Sequence, residues 1–257
     1  MNTDTPLISL RGKRALVTGG SRGIGAATVR LLARAGADVV VGYHKRSQDA
    51  ETVVENARST GVRAVAVAAD VATKDGADYL VKTVIDELGA LDLFVANAGI
   101  WPVDDIPFIR MTDEHWRRTI TANLDSAFFT TRAAARAMSD GGSIVLLSST
   151  AGQRGEAWHA DYAATKGAII SLTKSLAVEL ASRDINVNCV APGWVDTEMV
   201  ENAIAATGIH RIAPGIPLGR IASPEDIAGP IVFLCSPLAR HITGEILNIN
   251  GGSVLCG

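Results

Sequence analysis

The sequence predicts an α/β fold: a single doubly wound parallel sheet of about seven strands, with helices on both faces and a substrate lid. Three observations carry that expectation. Short β-branched runs alternate with amphipathic helical stretches along almost the whole chain, as strands joined by helical crossovers do. The strand runs are apolar at nearly every position, which suits a sheet covered on both faces. The first run passes directly into a glycine-rich turn, Thr18-Gly-Gly-Ser-Arg-Gly-Ile-Gly25, and then into a helix. With 257 residues, 47% of them apolar, and no linker, repeat or low-complexity stretch, the chain reads as one domain over 1–257.

Taken in order, Arg14–Thr18 reads as the first strand, and 23–35 as a helix closed by Gly36. Asp38–Tyr43 is the second strand, followed by a helix over 47–59. Strands over 63–69 and 91–96 flank the helix Lys74–Leu88. Two helices, 113–124 and 127–138, precede a strand over 143–148. A long helix, 159–181, leads to a strand over 186–191. Ser223-Pro-Glu-Asp226 opens another helix with a capping serine, a proline in the first turn and a reciprocal acid. Ile246–Ile249 is the last strand and ends in Asn250-Gly-Gly252. The stretch 194–220 breaks the rhythm with Gly208, Pro214, Gly215 and Pro217, and its length suits a lid or binding loop better than a simple connection.

Composition excludes several roles. The net charge of −3 offers no basic field for nucleic acid or an anionic membrane. No apolar run approaches the roughly 18 to 20 residues that cross a bilayer. The polar opening Met1-Asn-Thr-Asp-Thr-Pro6 does not resemble a secretion signal. Cys189, Cys235 and Cys256 lack metal-ligand spacing; the first two read as small core residues and the third as an exposed thiol. The expectation is a cytoplasmic protein of a reducing compartment, with no metal, nucleic acid or membrane partner.

The chemistry concentrates in a few motifs. Tyr162 and Lys166, four apart, share one helix face, so an ammonium can act on a phenol whose ordinary pKa of about 10 is too high for easy proton exchange. Ser149 lies thirteen residues upstream of the tyrosine. In the glycine turn, Gly19, Gly23 and Gly25 let the backbone approach a pyrophosphate while the following helix presents free N–H groups. Asn97-Ala-Gly99 follows a strand, and Asn123 and Pro192-Gly193 complete the set. Together they point to hydride transfer on a nicotinamide cofactor.

In these motifs, from about Leu10 onward, the chain resembles the short-chain dehydrogenases/reductases. The resemblance implies cofactor contacts at Gly19, Ser21, Arg22, Gly23, Ile24 and Gly25 in the turn, at Asp70 and Val71 around the adenine, and at Asn97, Ala98 and Gly99. It adds Pro192, Gly193, Val195 and Thr197 beside the nicotinamide, with Tyr162 and Lys166. Ala96 departs slightly from the family, where an extra asparagine is frequent. The implied catalytic set is Asn123, Ser149, Tyr162 and Lys166. Tyr162 exchanges the proton, Lys166 lowers the phenol's pKa and holds the ribose, Ser149 steadies the substrate oxygen, and Asn123 anchors a water.

An aspartate at the end of the second strand would accept from a ribose diol and repel a 2′-phosphate. This chain instead has Tyr43-His44-Lys45-Arg46, with Arg22 nearby, so NADP(H) is preferred and NAD(H) is the alternative. Trp101, Trp158, His159 and Trp194 are the expected substrate wall. The leading expectation is an NADPH-dependent reductase of a small or polyketide-like ketone, similar to the 3-oxoacyl-carrier-protein reductases and related ketoreductases. An NAD-dependent alcohol or polyol dehydrogenase is the alternative. A cofactor-binding scaffold without turnover is disfavoured by the intact catalytic set. A carrier-protein substrate is disfavoured because Met138-Ser139-Asp140-Gly141 lacks a basic patch, leaving Arg183 as the candidate contact. The family habit, and the small face Ala163, Gly167 and Ser171, imply a homotetramer or homodimer.

Overall fold

The computed structural model describes residues 7–201, 204–205 and 208–256. The polar start, 1–6, and four positions inside the expected lid lie outside the described residues. Seven parallel strands form one sheet in the order β3-β2-β1-β4-β5-β6-β7. They are β1 Arg14–Thr18, β2 Asp38–Tyr43, β3 Ala64–Ala68, β4 Leu93–Ala96, β5 Ser143–Leu147, β6 Asn186–Pro192 and β7 Ile246–Ile249. The order reverses between β1 and β4, so the carboxyl ends of those strands open a crevice.

Period-two alternation sorts the strand side chains onto two cores. Ala15, Val17, Val39, Val41, Leu93, Val95, Val145 and Leu147 face one side. Packed against them are α1 (Gly23–Arg34), α2 (Ser47–Arg58) and the late helix Pro224–Leu234. Leu16, Val40, Phe94, Ile144 and Leu146 face the other side, under α3 (Lys74–Leu88), α5 (Ser126–Ala137) and α7 (Ala160–Glu179). At the opposite, amino-terminal edge of the sheet, Asp92 accepts three hydrogen bonds from Arg14 at 2.6 to 2.9 Å and ties β1 to β4.

Some expected bounds move. The helices expected over 113–124 and 127–138 are joined: α4 (Asp113–Ile120) runs into a π turn, Thr121–Asp125, and then α5. A short helix absent from the sequence reading, α6 (Thr150–Arg154), starts on Ser149, whose Oγ accepts from the Ala151 N–H at 3.2 Å. The described part of 194–220 holds more regular structure than a plain loop. It carries a helical turn, Ile209–Ile212, and a 3₁₀ turn, Ala213–Gly215. Its Ile212 and Ile216 form a small core with Ile221, just beyond the stretch, and Trp194 packs against them. The expected capping box forms as read, with Ser223 and Asp226 exchanging hydrogen bonds with each other's backbone.

Candidate active site

The crevice between β1 and β4 is stitched at its floor. Thr18 Oγ1 accepts from the N–H groups of Asn97 and Ala98, both at 3.1 Å. Asn97 Nδ2 donates back to Thr18 O and Gly19 O at 2.9 and 3.0 Å. Asn97 therefore holds the glycine turn as well as lining the crevice. A Cβ on Gly25 would overlap Gly19 O, so only glycine lets helix and turn close this tightly. Gly19 and Gly23 both adopt positive φ, +64° and +52°. No side chain caps α1 at Arg22 and no acid occupies its first turn, which leaves the first N–H groups free for an anion. These features fit a dinucleotide pyrophosphate.

Along the crevice a cavity of about 540 Å³ brings together Asn97, Gly99, Ser149, Tyr162, Lys166, Pro192, Gly193, Val195 and Thr197. Asn123 stands one layer behind, fully buried in the π turn. Its Oδ1 accepts from Ile100 N at 2.7 Å, and its Nδ2 donates to Ile100 O at 3.0 Å and to Thr165 Oγ1 at 3.3 Å. Thr165 Oγ1 donates to Tyr162 O at 2.7 Å, so one asparagine links the strand-end loop to the turn that carries the phenol. A π turn adds a residue to the helical circuit and re-aims its side chains.

Lys166 sits otherwise than expected. Its Nζ donates to Leu147 O at 3.0 Å and lies 5.5 Å from the Tyr162 ring centroid. Burial lowers the ammonium's pKa to about 8. Burial also pushes the Tyr162 phenol up to about 12; the Ser149 hydroxyl counters this and the charge of Glu156 adds to it. Desolvation is the largest cause for both groups and sets the direction of each shift. Since Ser149 Oγ already accepts from Ala151 N, its own hydrogen is free to donate.

Of the four expected wall residues, Trp101 and Trp194 line the cavity, edge to face at 6.4 Å. His159 is buried behind Trp101, stacked at 4.6 Å with its Nε2 2.9 Å from Pro102 O. Trp158 lies off the cavity wall and is 58% exposed. Its φ of +64° turns the chain into α7 and swings the indole outward. The sequence reading passed over Arg154, Glu156, Met199 and Arg211, which also line the cavity. Arg154 and Arg211 come from short helical turns and Glu156 and Met199 from loops, and no spacing marks them.

The adenosine-end candidates separate from this cavity. Tyr43 ends β2 and His44, Lys45 and Arg46 follow it, while Asp70 and Val71 follow β3 beside them, with Ala69 N donating to Tyr43 O at 2.8 Å. Asp70 Oδ1 accepts from Ala72 N at 3.1 Å within its own turn. Among the described residues, no group of three or more His, Cys, Asp or Glu is placed to hold a metal, and no helix is long and apolar enough to cross a membrane.

Fold, glycine turn and Tyr–Lys helix together define an NAD(P)-dependent oxidoreductase, and the chain belongs to the short-chain dehydrogenase/reductase family. A family model described as enoyl-(acyl carrier protein) reductase matches residues 19–253. The chain is 42% identical to a 3-oxoacyl-[acyl-carrier-protein] reductase of Synechocystis sp., over 97% of this chain and all of the relative. It is 38% identical to an L-rhamnose 1-dehydrogenase (NAD(P)(+)) of Azotobacter vinelandii, covering 93% and 96% of the two chains. Among solved structures, a blue fluorescent protein from a metagenomic library, in complex with NADPH, superposes with a TM-score of 0.89 at 36% identity, covering 96% and 100%.

Proposed function

We propose that the protein reduces a free ketone with NADPH, with Tyr162 as the general acid. The observation that carries this reading is a buried phenol in the wall of the cavity that also holds Ser149, Lys166 and the Pro192–Gly193 turn. A phenol pushed up to about 12 stays protonated at neutral pH, the form that donates to a carbonyl oxygen. When bound, the cofactor supplies the hydride. Ser149 donates to the nascent alkoxide, Tyr162 passes its proton to the same oxygen, and Lys166, near 8, restores that proton at physiological pH. Gly19, Ser21, Gly23, Ile24 and Gly25 would hold the pyrophosphate, and Arg22, Lys45 and Arg46 a ribose 2′-phosphate.

A free substrate is favoured over a carrier-bound one by the fate of Arg183. Its guanidinium donates to Asp140 Oδ1, Ala135 O and Met138 O, all at the end of α5, so the one candidate carrier contact near β5 is committed to capping. The outer faces of α5 and α7, with a 42%-exposed Phe128 and the exposed Ala164, suit pairing of whole chains into dimers or tetramers.

The test is turnover of a panel of ketones, and of alcohols in reverse, with NADPH and NADH, by wild type and Tyr162→Phe. The wild type should prefer NADPH, and the variant should lose about 10²- to 10⁴-fold in rate while still binding cofactor. A variant within a few-fold of wild type removes Tyr162 from the mechanism. A wild type that prefers NADH and oxidises polyols returns the protein to the dehydrogenase reading.

A further inference from the structure

Both arginines offered to a ribose 2′-phosphate are held by one carboxylate oxygen. Glu198 Oε2 accepts from Arg22 Nη1 at 3.0 Å and from Arg46 Nη2 at 2.8 Å. Arg22 belongs to the glycine turn, Arg46 to the junction of β2 and α2, and Glu198 to the segment that leaves β6 for the lid. Three segments distant in sequence thus meet over the mouth of the cofactor crevice. The preceding residue anchors the segment there, because the Thr197 methyl lies 3.2 Å from where a Cβ on Gly23 would stand. Arg46 Nη1 also donates to Asp49 at 3.1 Å.

A carboxylate bridging two guanidinium groups occupies the donors that a phosphate dianion would take. Two anions cannot share those donors without repelling each other. We infer that Glu198 is a cofactor-specificity residue: it competes with the 2′-phosphate for Arg22 and Arg46, and the phosphate, on displacing it, releases the first residues of the lid. The inference rests on the NADP(H) reading. A cofactor without the 2′-phosphate leaves the bridge intact, so the lid responds to NADPH and not to NADH. The three side chains are 42% to 49% exposed, so solvent screens the contest and the effect is modest.

The experiment is calorimetric titration of wild type and Glu198→Gln with 2′,5′-ADP and 5′-AMP, which carry the adenosine end alone. Hydrogen exchange over 194–200 is then followed with NADPH and with NADH. The glutamine is isosteric and keeps both arginines. It should tighten 2′,5′-ADP about 3- to 10-fold, more at low salt, and leave 5′-AMP within about twofold. In the wild type, NADPH should raise exchange at 196–200 relative to NADH, and in Glu198→Gln that difference should vanish. If wild type prefers 2′,5′-ADP and Glu198→Gln binds it no more tightly, the competition is overturned while the NADP(H) reading stands. If wild type shows no preference but the variant acquires one, the competition stands and the NADP(H) reading falls. Should neither protein distinguish the two nucleotides, both fail.

Discussion

Glu156 shows how a single side chain from an irregular loop can bear on the chemistry. It lines the cavity six residues before Tyr162, where burial raises its own pKa and its charge raises the phenol's. A nearby negative charge disfavours phenolate, so removing it must lower the Tyr162 pKa. In the alcohol-oxidising direction the phenolate is the proton acceptor, and the rate climbs as pH approaches that pKa. Glu156→Gln should therefore move the rising limb to lower pH and raise the oxidation rate about two- to tenfold at a fixed pH below the midpoint. The pH profile of oxidation between pH 8 and 11 checks this; an unmoved limb, or one moved upward, would show that Glu156 does not act on Tyr162.

At the scale of elements, the glycine turn and the π turn do opposite things with backbone space. The turn removes side chains so that α1 can close on Gly19; the π turn adds a residue so that Asn123 can reach Ile100 and Thr165. A Cβ on Gly25 would also fall 2.6 Å from Asn97 Nδ2, which holds the turn. Gly25→Ala must therefore push α1 away from β4 and loosen the anion site. Cofactor affinity should fall at least about tenfold, the scale of 1.4 kcal/mol, in a protein that still folds. Fluorescence titration with NADPH, alongside circular dichroism, tests it; affinity within twofold of wild type would mean that the turn does not hold the pyrophosphate.

Across the whole molecule, two separate apolar cores cover the faces of the sheet, while its amino-terminal edge also carries a polar tie between β1 and β4. Burial works against ionisation of Asp92, but the side-chain and backbone hydrogen bonds from Arg14 outweigh it and hold the carboxyl below its ordinary range. Its stabilising contribution is thus complete above the unfolded value of about 3.9, and it drains away as pH falls through the depressed folded value. Replacing a charge-assisted set by a neutral amide should cost about 1.5 to 3 kcal/mol at pH 7. Urea unfolding of wild type and Asp92→Asn at pH 7 and near pH 3 should show that gap narrowing at the lower pH. An equal gap at both would remove the ion pair from the account.

Local pattern alone determined much of this protein. Strand order along the chain, the parallel sheet and the Ser223 capping box were legible because hydrophobic period and capping chemistry act over a few residues. So was the pairing of Tyr162 with Lys166 on one helix. Other features needed distant segments to meet. The helix through Asn123 reads as two because a one-residue π insertion leaves no mark on periodicity. Trp158 looked like its neighbours Trp101 and Trp194 until its left-handed backbone carried it outward. Lys166 looked like the agent that lowers the phenol's pKa, yet burial depth, which no spacing records, governs both groups. The arginines after β2 and in the glycine turn read as free cations, because only the folded chain brings Glu198 across to them from the far side of β6. Charge and spacing are properties of the chain; desolvation and the partner each charge meets belong to the fold.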